Sequence, residues 1–125
     1  MTIEQVAARL VELCREGKYE QAQDELYARD AVSIEMAGLP DGALGDAHGI
    51  EAIREKGRRW AENVVEVHGG SVSDAVIADG WFSVAMGIDA TYRDRGRVAS
   101  SEICVYEVRE GKIVREQFFY HMPGA

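Results

Sequence analysis

The stretch RVASSEICVYEVREGKIVREQFFYH, residues 97–121, holds two strand-like runs joined by Arg109, Glu110 and Gly111. Gly111 can take a positive φ, so the junction predicts a hairpin. Successive side chains of a strand point to opposite faces. Glu102, Cys104, Tyr106 and Val108 then share one face of the first run. In the second, Val114, Glu116, Phe118 and Tyr120 share one face, while Ile113, Arg115, Gln117, Phe119 and His121 share the other. Both faces mix apolar and polar groups. A sheet with one apolar and one solvated face does not read this way. Either one face lines a partly polar pocket, or one meets another subunit.

Working outward, AVIADGWFSVAMGIDATY (75–92) reads as strand, turn, strand, and VVEVHGGSVS (64–73) as a strand bent or bulged at its two glycines. In WFSVAMGIDATY one face carries Trp81, Ser83, Ala85, Gly87 and Asp89, and the other Phe82, Val84, Met86, Ile88 and Ala90. The first half is helical. Ile3, Val6, Ala7, Leu10 and Cys14 recur at helical spacing, with Thr2 as cap and Gly17 as stop. YEQAQDELYA (19–28) predicts a shorter helix with Tyr19, Ala22 and Leu26 inward, and strand propensity takes over at Val32. AGLPDGALGDAHG (37–49) is a loop, and IEAIREKGRRWAEN (50–63) a third helix whose apolar side is set by Ile50, Ile53 and either Gly57 or Trp60.

This order predicts a single α+β domain over residues 1–125, with helices packed on one face of a curved, four- or five-stranded sheet. A chain of 125 residues, 46% of them hydrophobic, can build a core without metal or disulfides. The formal net charge of −8 argues against a large phosphate-backbone interface, so no nucleic-acid partner is expected. No run is apolar and long enough to span a bilayer, and the N-terminus lacks a signal-peptide core, so neither a membrane partner nor secretion is expected. Cys14 and Cys104 lack redox or metal spacing; two packed thiols in a cytoplasmic protein is the preferred reading, with a disulfide left open.

The candidate site begins in DAVSIEMAG (30–38), where Ser33 and Glu35 share a face opposite Val32, Ile34 and Met36. A carboxylate turned to an apolar cavity loses hydration and becomes a better proton acceptor; on an edge strand it would simply face water. Glu102 and Glu116 could neighbour one another across the final hairpin and share a proton, or pair with Arg54, Arg58, Arg93 or Arg97. Asp89 joins that cluster or precedes a turn. His48 orients a ligand from its loop or has no role. Tyr27, Trp60, Tyr106 and Tyr120 are the candidate wall; Trp81 and Phe118 are assigned to core packing or a dimer contact. The three histidines have no local metal spacing, and there is no nucleotide, nicotinamide or covalent-catalysis motif, so no cofactor or metal is expected.

The opening LVELCREGKYEQA, the segment ELYARDAVSIE, the helix start HGIEAIREKGRRW and the closing VYEVREGKIVREQFFY resemble the SnoaL-like branch of the nuclear-transport-factor-2-like superfamily over nearly the whole chain. That resemblance implies a cone-shaped α+β fold around an open, mostly apolar cavity, and a homodimer formed through the sheet. Against the ketosteroid isomerases of the superfamily, Glu35 matches the carboxylate base, whereas Leu10 and Cys104 stand where their two oxyanion donors would be. The resemblance to polyketide cyclases implies carboxylate acid/base chemistry without metal or cofactor. The expectation is a pocket for a small hydrophobic molecule, used for isomerisation, cyclisation or hydration. The alternatives are a non-catalytic binding protein, or a dimerisation domain whose cone is filled by its own side chains.

Overall fold

A computed structural model describes residues 1–39 and 44–121. The first element, α1 (Ile3–Arg15), starts in a capping box: the Gln5 amide donates to Thr2 Oγ1 at 3.2 Å, and Gln5 Oε1 accepts from the Thr2 amide at 2.9 Å. Its apolar stripe, Val6, Ala7, Leu10, Val11, Leu13 and Cys14, is buried. Gly17, at φ 71°, ends it in a conformation that favours glycine. The second helix, α2 (Tyr19–Leu26), buries Ala22 and Leu26, but Tyr19 is 43% exposed rather than inward.

The strand expected from Val32 begins earlier: β1 spans Tyr27–Ile34. Strand pairing overrides the helical propensity of Tyr27 and Ala28, with Tyr27 set beside Ile113 of the last strand. The loop that follows contains a short strand, β2 (Ala47–His48), and its residues 40–43 lie outside the described residues. Next come α3 (Ile50–Asn63), β3 (Val64–Val72), β4 (Val76–Ala78), β5 (Trp81–Tyr92), β6 (Gly96–Arg109) and β7 (Lys112–Tyr120). The β6–β7 turn carries Glu110 at φ 51° and Gly111 at φ 75°, the two positive values a tight two-residue hairpin requires. One irregularity of β3 lies between Val64 and Glu66, and the other, between Val67 and Gly69, reaches the first of the two glycines.

Among the described residues the sheet has seven strands, more than the four or five expected, in the order β2-β1-β7-β6-β5-β3, with β4 also on β5. It is mixed and unclosed: β1 runs parallel to β7, and the remaining pairs are antiparallel. The helices cover one face. There Val6, Leu10, Leu13, Leu26, Ile53, Phe82, Val84, Tyr106 and Ile113 form the core. Phe82 stacks on Tyr106 with ring centroids 4.8 Å apart. Ile113, assigned by simple alternation to the face opposite Glu116, is fully buried with it. A bulge opposite Glu107 and Val108 causes this, because one extra residue switches the face of everything before it.

Candidate functional site

At one corner of the covered face, β1 hands over to the following loop beneath α3. Ser33 sits beside Glu116 in the parallel β1–β7 pairing and is fully buried. Glu35, two residues on, keeps the same parity. Its backbone amide is fixed by Asp46 Oδ1 at 2.7 Å. From above, α3 presents Ile53 and, three residues later on the same side, Lys56. Lys56 Nζ donates to Ser33 Oγ at 2.9 Å and lies 3.1 Å from Glu35 Oε1. The two charged side chains are only 8% and 11% exposed. An isolated buried charge is costly, so each explains the position of the other. The Phe118 ring faces the ammonium at 5.2 Å, within cation–π range.

The other carboxylates share this inner face. Tyr27, on β1, donates its hydroxyl to Glu116 Oε1. On β6, Glu102 accepts a 3.6 Å contact from the Cys104 thiol. The Tyr120 hydroxyl approaches Glu35 Oε2 at 3.4 Å, long and therefore weak for an O–H···O contact. Glu102 and Glu116 are not directly opposite: the register sets Glu102 against Tyr120 and Tyr106 against Glu116. Burial is the first cause of shifted acidity throughout. It raises Glu35 above the usual carboxylate range, with the Lys56 charge opposing. It raises Glu116, opposed by hydrogen bonds from Ser33 and Tyr27. It pushes Glu102 up to about 7, with the Cys104 contact opposing and the charges of Glu35 and Glu116 adding. Three carboxyl groups thus lie around one ammonium, each with its pKa raised by burial and that rise opposed by the Lys56 charge.

The expected site residues separate clearly. Glu35, Glu102, Glu116, Tyr27, Cys104 and Tyr120 gather on the inner face. Tyr106 belongs to the core through its stack on Phe82. Trp60 lies one helical turn beyond Lys56 and meets Tyr19 edge-on, with centroids 6.3 Å apart. His48 is exposed and pairs in register with Val32, so it keeps the opposite parity to Ser33. Asp89 keeps the parity of Trp81, away from Phe82 and Val84, and is held by Arg97 at 3.0 and 2.9 Å. The arginines considered as partners are engaged elsewhere: Arg54 with Asp24 and Glu51, Arg58 with Glu55, and Arg93 with the Glu62 carbonyl. Leu10 and Cys104, at the ketosteroid-isomerase donor positions, are buried at 1% and 0% exposure.

Lys56, Ser33 and Phe118 were not foreseen as a unit. The signal for Lys56 was present, since Ile50, Ile53, Lys56 and Trp60 recur at helical spacing and place a lysine on the apolar stripe. Two depressions stand away from these groups. One, of about 540 Å³, lies over β1, β6 and β7, lined by Asp30, Val32, Glu107, Arg109 and Lys112 among others. The second, about 340 Å³, is lined chiefly by Gly69, Gly70, Ser71 and Gly87. Neither contains the buried ion pair. Among the described residues no helix is long and apolar enough to cross a membrane.

The model of the SnoaL-like domain family matches residues 1–120. A candidate SnoaL-like polyketide cyclase from Mesorhizobium loti is 36% identical, with TM-score 0.87, over 96% of this chain and 100% of that one. An NTF2-like protein of unknown function from Burkholderia pseudomallei shares 15% identity and TM-score 0.78, over 97% and 92%. TerC, co-crystallised with polyporic acid, shares 15% identity and TM-score 0.74, over 94% and 92%. No curated protein matches the chain.

Proposed function

The chain belongs to the SnoaL-like domain family, and on that premise we propose that it moves a proton on a small hydrophobic carbonyl compound, with Glu35 as the base. The observation that carries this reading is the inward, 11% exposed Glu35 carboxylate placed 3.1 Å from the Lys56 ammonium. Burial raises its basicity, and the Lys56 ammonium opposes that rise, favouring the charged form that a base needs. Glu102, raised to about 7 by burial with the Glu116 charge contributing, returns a proton. Isomerisation, cyclisation or hydration fits this assignment, as does the small-molecule ligand carried by TerC on the same scaffold.

A purely binding role is the second reading, supported by the completeness of the pairing: each inner-face carboxylate already has a protein partner. The exposed apolar set on the uncovered face supports a homodimer through the sheet. Ile103 pairs with Phe119 across β6 and β7, and they are 54% and 42% exposed. Two free, buried thiols fit a cytoplasmic setting. The test is a crystal soaked with a panel of aromatic and steroid-like ketones, followed by turnover assays of any that bind, in the wild type and in Glu35→Gln. Loss of turnover with retained binding is expected; unchanged turnover in Glu35→Gln overturns the assignment.

A further inference from the structure

The covered face contains a donor that alternation of the strands does not supply. Lys56 comes from α3, on the opposite wall from the sheet, and its ammonium has three N–H groups. One is taken by Ser33 Oγ and one by Glu35 Oε1. The ammonium also lies over the Phe118 ring, 5.2 Å from its centroid. A ring face is a weaker partner for a cation than an oxyanion, so the ammonium can exchange the ring for a charged oxygen. Tyr120, partly exposed, stands beside the pair: its amide contacts Met36 Sδ at 3.3 Å and its hydroxyl makes a long 3.4 Å contact to Glu35.

We propose that Lys56 is the oxyanion-holding residue of this site, so that the base and the positive group facing the developing charge are neighbours joined by an ion pair. This rests on the reading of Glu35 as base. In the step, a C–H bond next to a carbonyl breaks and its proton goes to Glu35. The bonding electron pair moves through the new C=C bond onto the carbonyl oxygen. Lys56 keeps its proton throughout. Before the step the ammonium faces a carboxylate; after it, Glu35 is neutral and the ammonium faces the enolate. The negative charge changes place beside a fixed cation, and little reorganisation is needed. The substrate class is therefore an enolisable ketone, with its oxygen toward α3 and its reacting carbon toward β1. This arrangement supplies a donor where Leu10 and Cys104 supply none.

The test uses a graded series of substituted phenols and naphthols as oxyanion mimics and reads their ionisation by absorbance. Wild-type protein is expected to bind them as phenolates and to lower their pKa on binding. Glu35→Gln should bind phenolate as tightly or more tightly, because the ammonium loses its competing anion. The double variant E35Q/K56M, which removes both members of the ion pair, should bind phenolate about tenfold or more weakly than E35Q while keeping a cooperative melt. Binding of the neutral phenol only, no binding at all, or equal phenolate affinity in E35Q and E35Q/K56M overturns the proposal. A loss in E35Q as large as that in the double variant overturns it too. These readouts need no turnover. A base assignment that fails in the ketone assay therefore remains distinct from an oxyanion site that fails here.

Discussion

Lys56 Nζ and Glu35 Oε1 lie 3.1 Å apart, joining the middle of α3 to the residue just past β1, with both side chains almost fully removed from water. The pair ties the helical layer to the sheet at the point where β1 ends. Its ammonium opposes the upward shift that burial imposes on the carboxylate.

Removing one member of that pair should be costly. Lys56→Met is expected to lower stability by roughly 3–5 kcal/mol at pH 8, because Glu35 is left buried and charged. Adding Glu35→Gln should recover most of the loss. Urea denaturation of the two single variants and the double variant checks this; additive losses would show that the contact is not a coupled pair.

Glu102 gives a pH signature. Its acidity in the folded protein is shifted up to about 7, above the value of a free glutamate. In the window between, the native state binds more protons than the unfolded state, so stability falls as pH rises. Below the free-glutamate value this contribution is fully present; above about 7 it is lost. Glu102→Gln should flatten that part of the stability profile, as measured by thermal melts from pH 4 to 8. A profile unchanged by the substitution would contradict the burial argument.

How much of this was legible in the sequence differs by element. The limits of α3 were readable from the glycine before Ile50 and the apolar spacing within it, and the β6–β7 turn from Gly111. The inner position of Ile113 was not, because a bulge is a property of two strands and leaves no mark in one. Ser33 and Glu35 were readable as sharing a face. Their partner left only an indirect mark, its place on the apolar stripe of α3: a lysine on a helix is normally solvated, and the carboxylate on a distant element is what makes its burial tolerable. Asp89 was misleading because alternation gives two faces without saying which one the helices cover.

The hairpin turn offers a stability test independent of the site. A Cβ on Gly111 would stand 2.8 Å from the Met1 carbonyl oxygen, on a backbone at φ 75°. Gly111→Val should destabilise the fold by about 1–2 kcal/mol or more, since left-handed backbone is costly for such a residue. An unchanged melting temperature would contradict the turn geometry.

Exposure of Ile103 and Phe119 on neighbouring strands predicts association through that face. Light scattering coupled to gel filtration should give twice the chain mass for the wild type and the single-chain mass for Ile103→Glu with Phe119→Glu, with melting retained. A wild-type monomer at micromolar concentration would contradict it.

The most direct measurement of the central claim is deuterium exchange. A ketone that binds is incubated with protein in D2O, and label at the carbon beside its carbonyl is followed by mass spectrometry. Wild-type protein is predicted to incorporate label, and Glu35→Gln to do so at least about a hundredfold more slowly while still binding the ketone. Equal incorporation by both proteins, with the ketone bound in each, would contradict the assignment of Glu35 as the base.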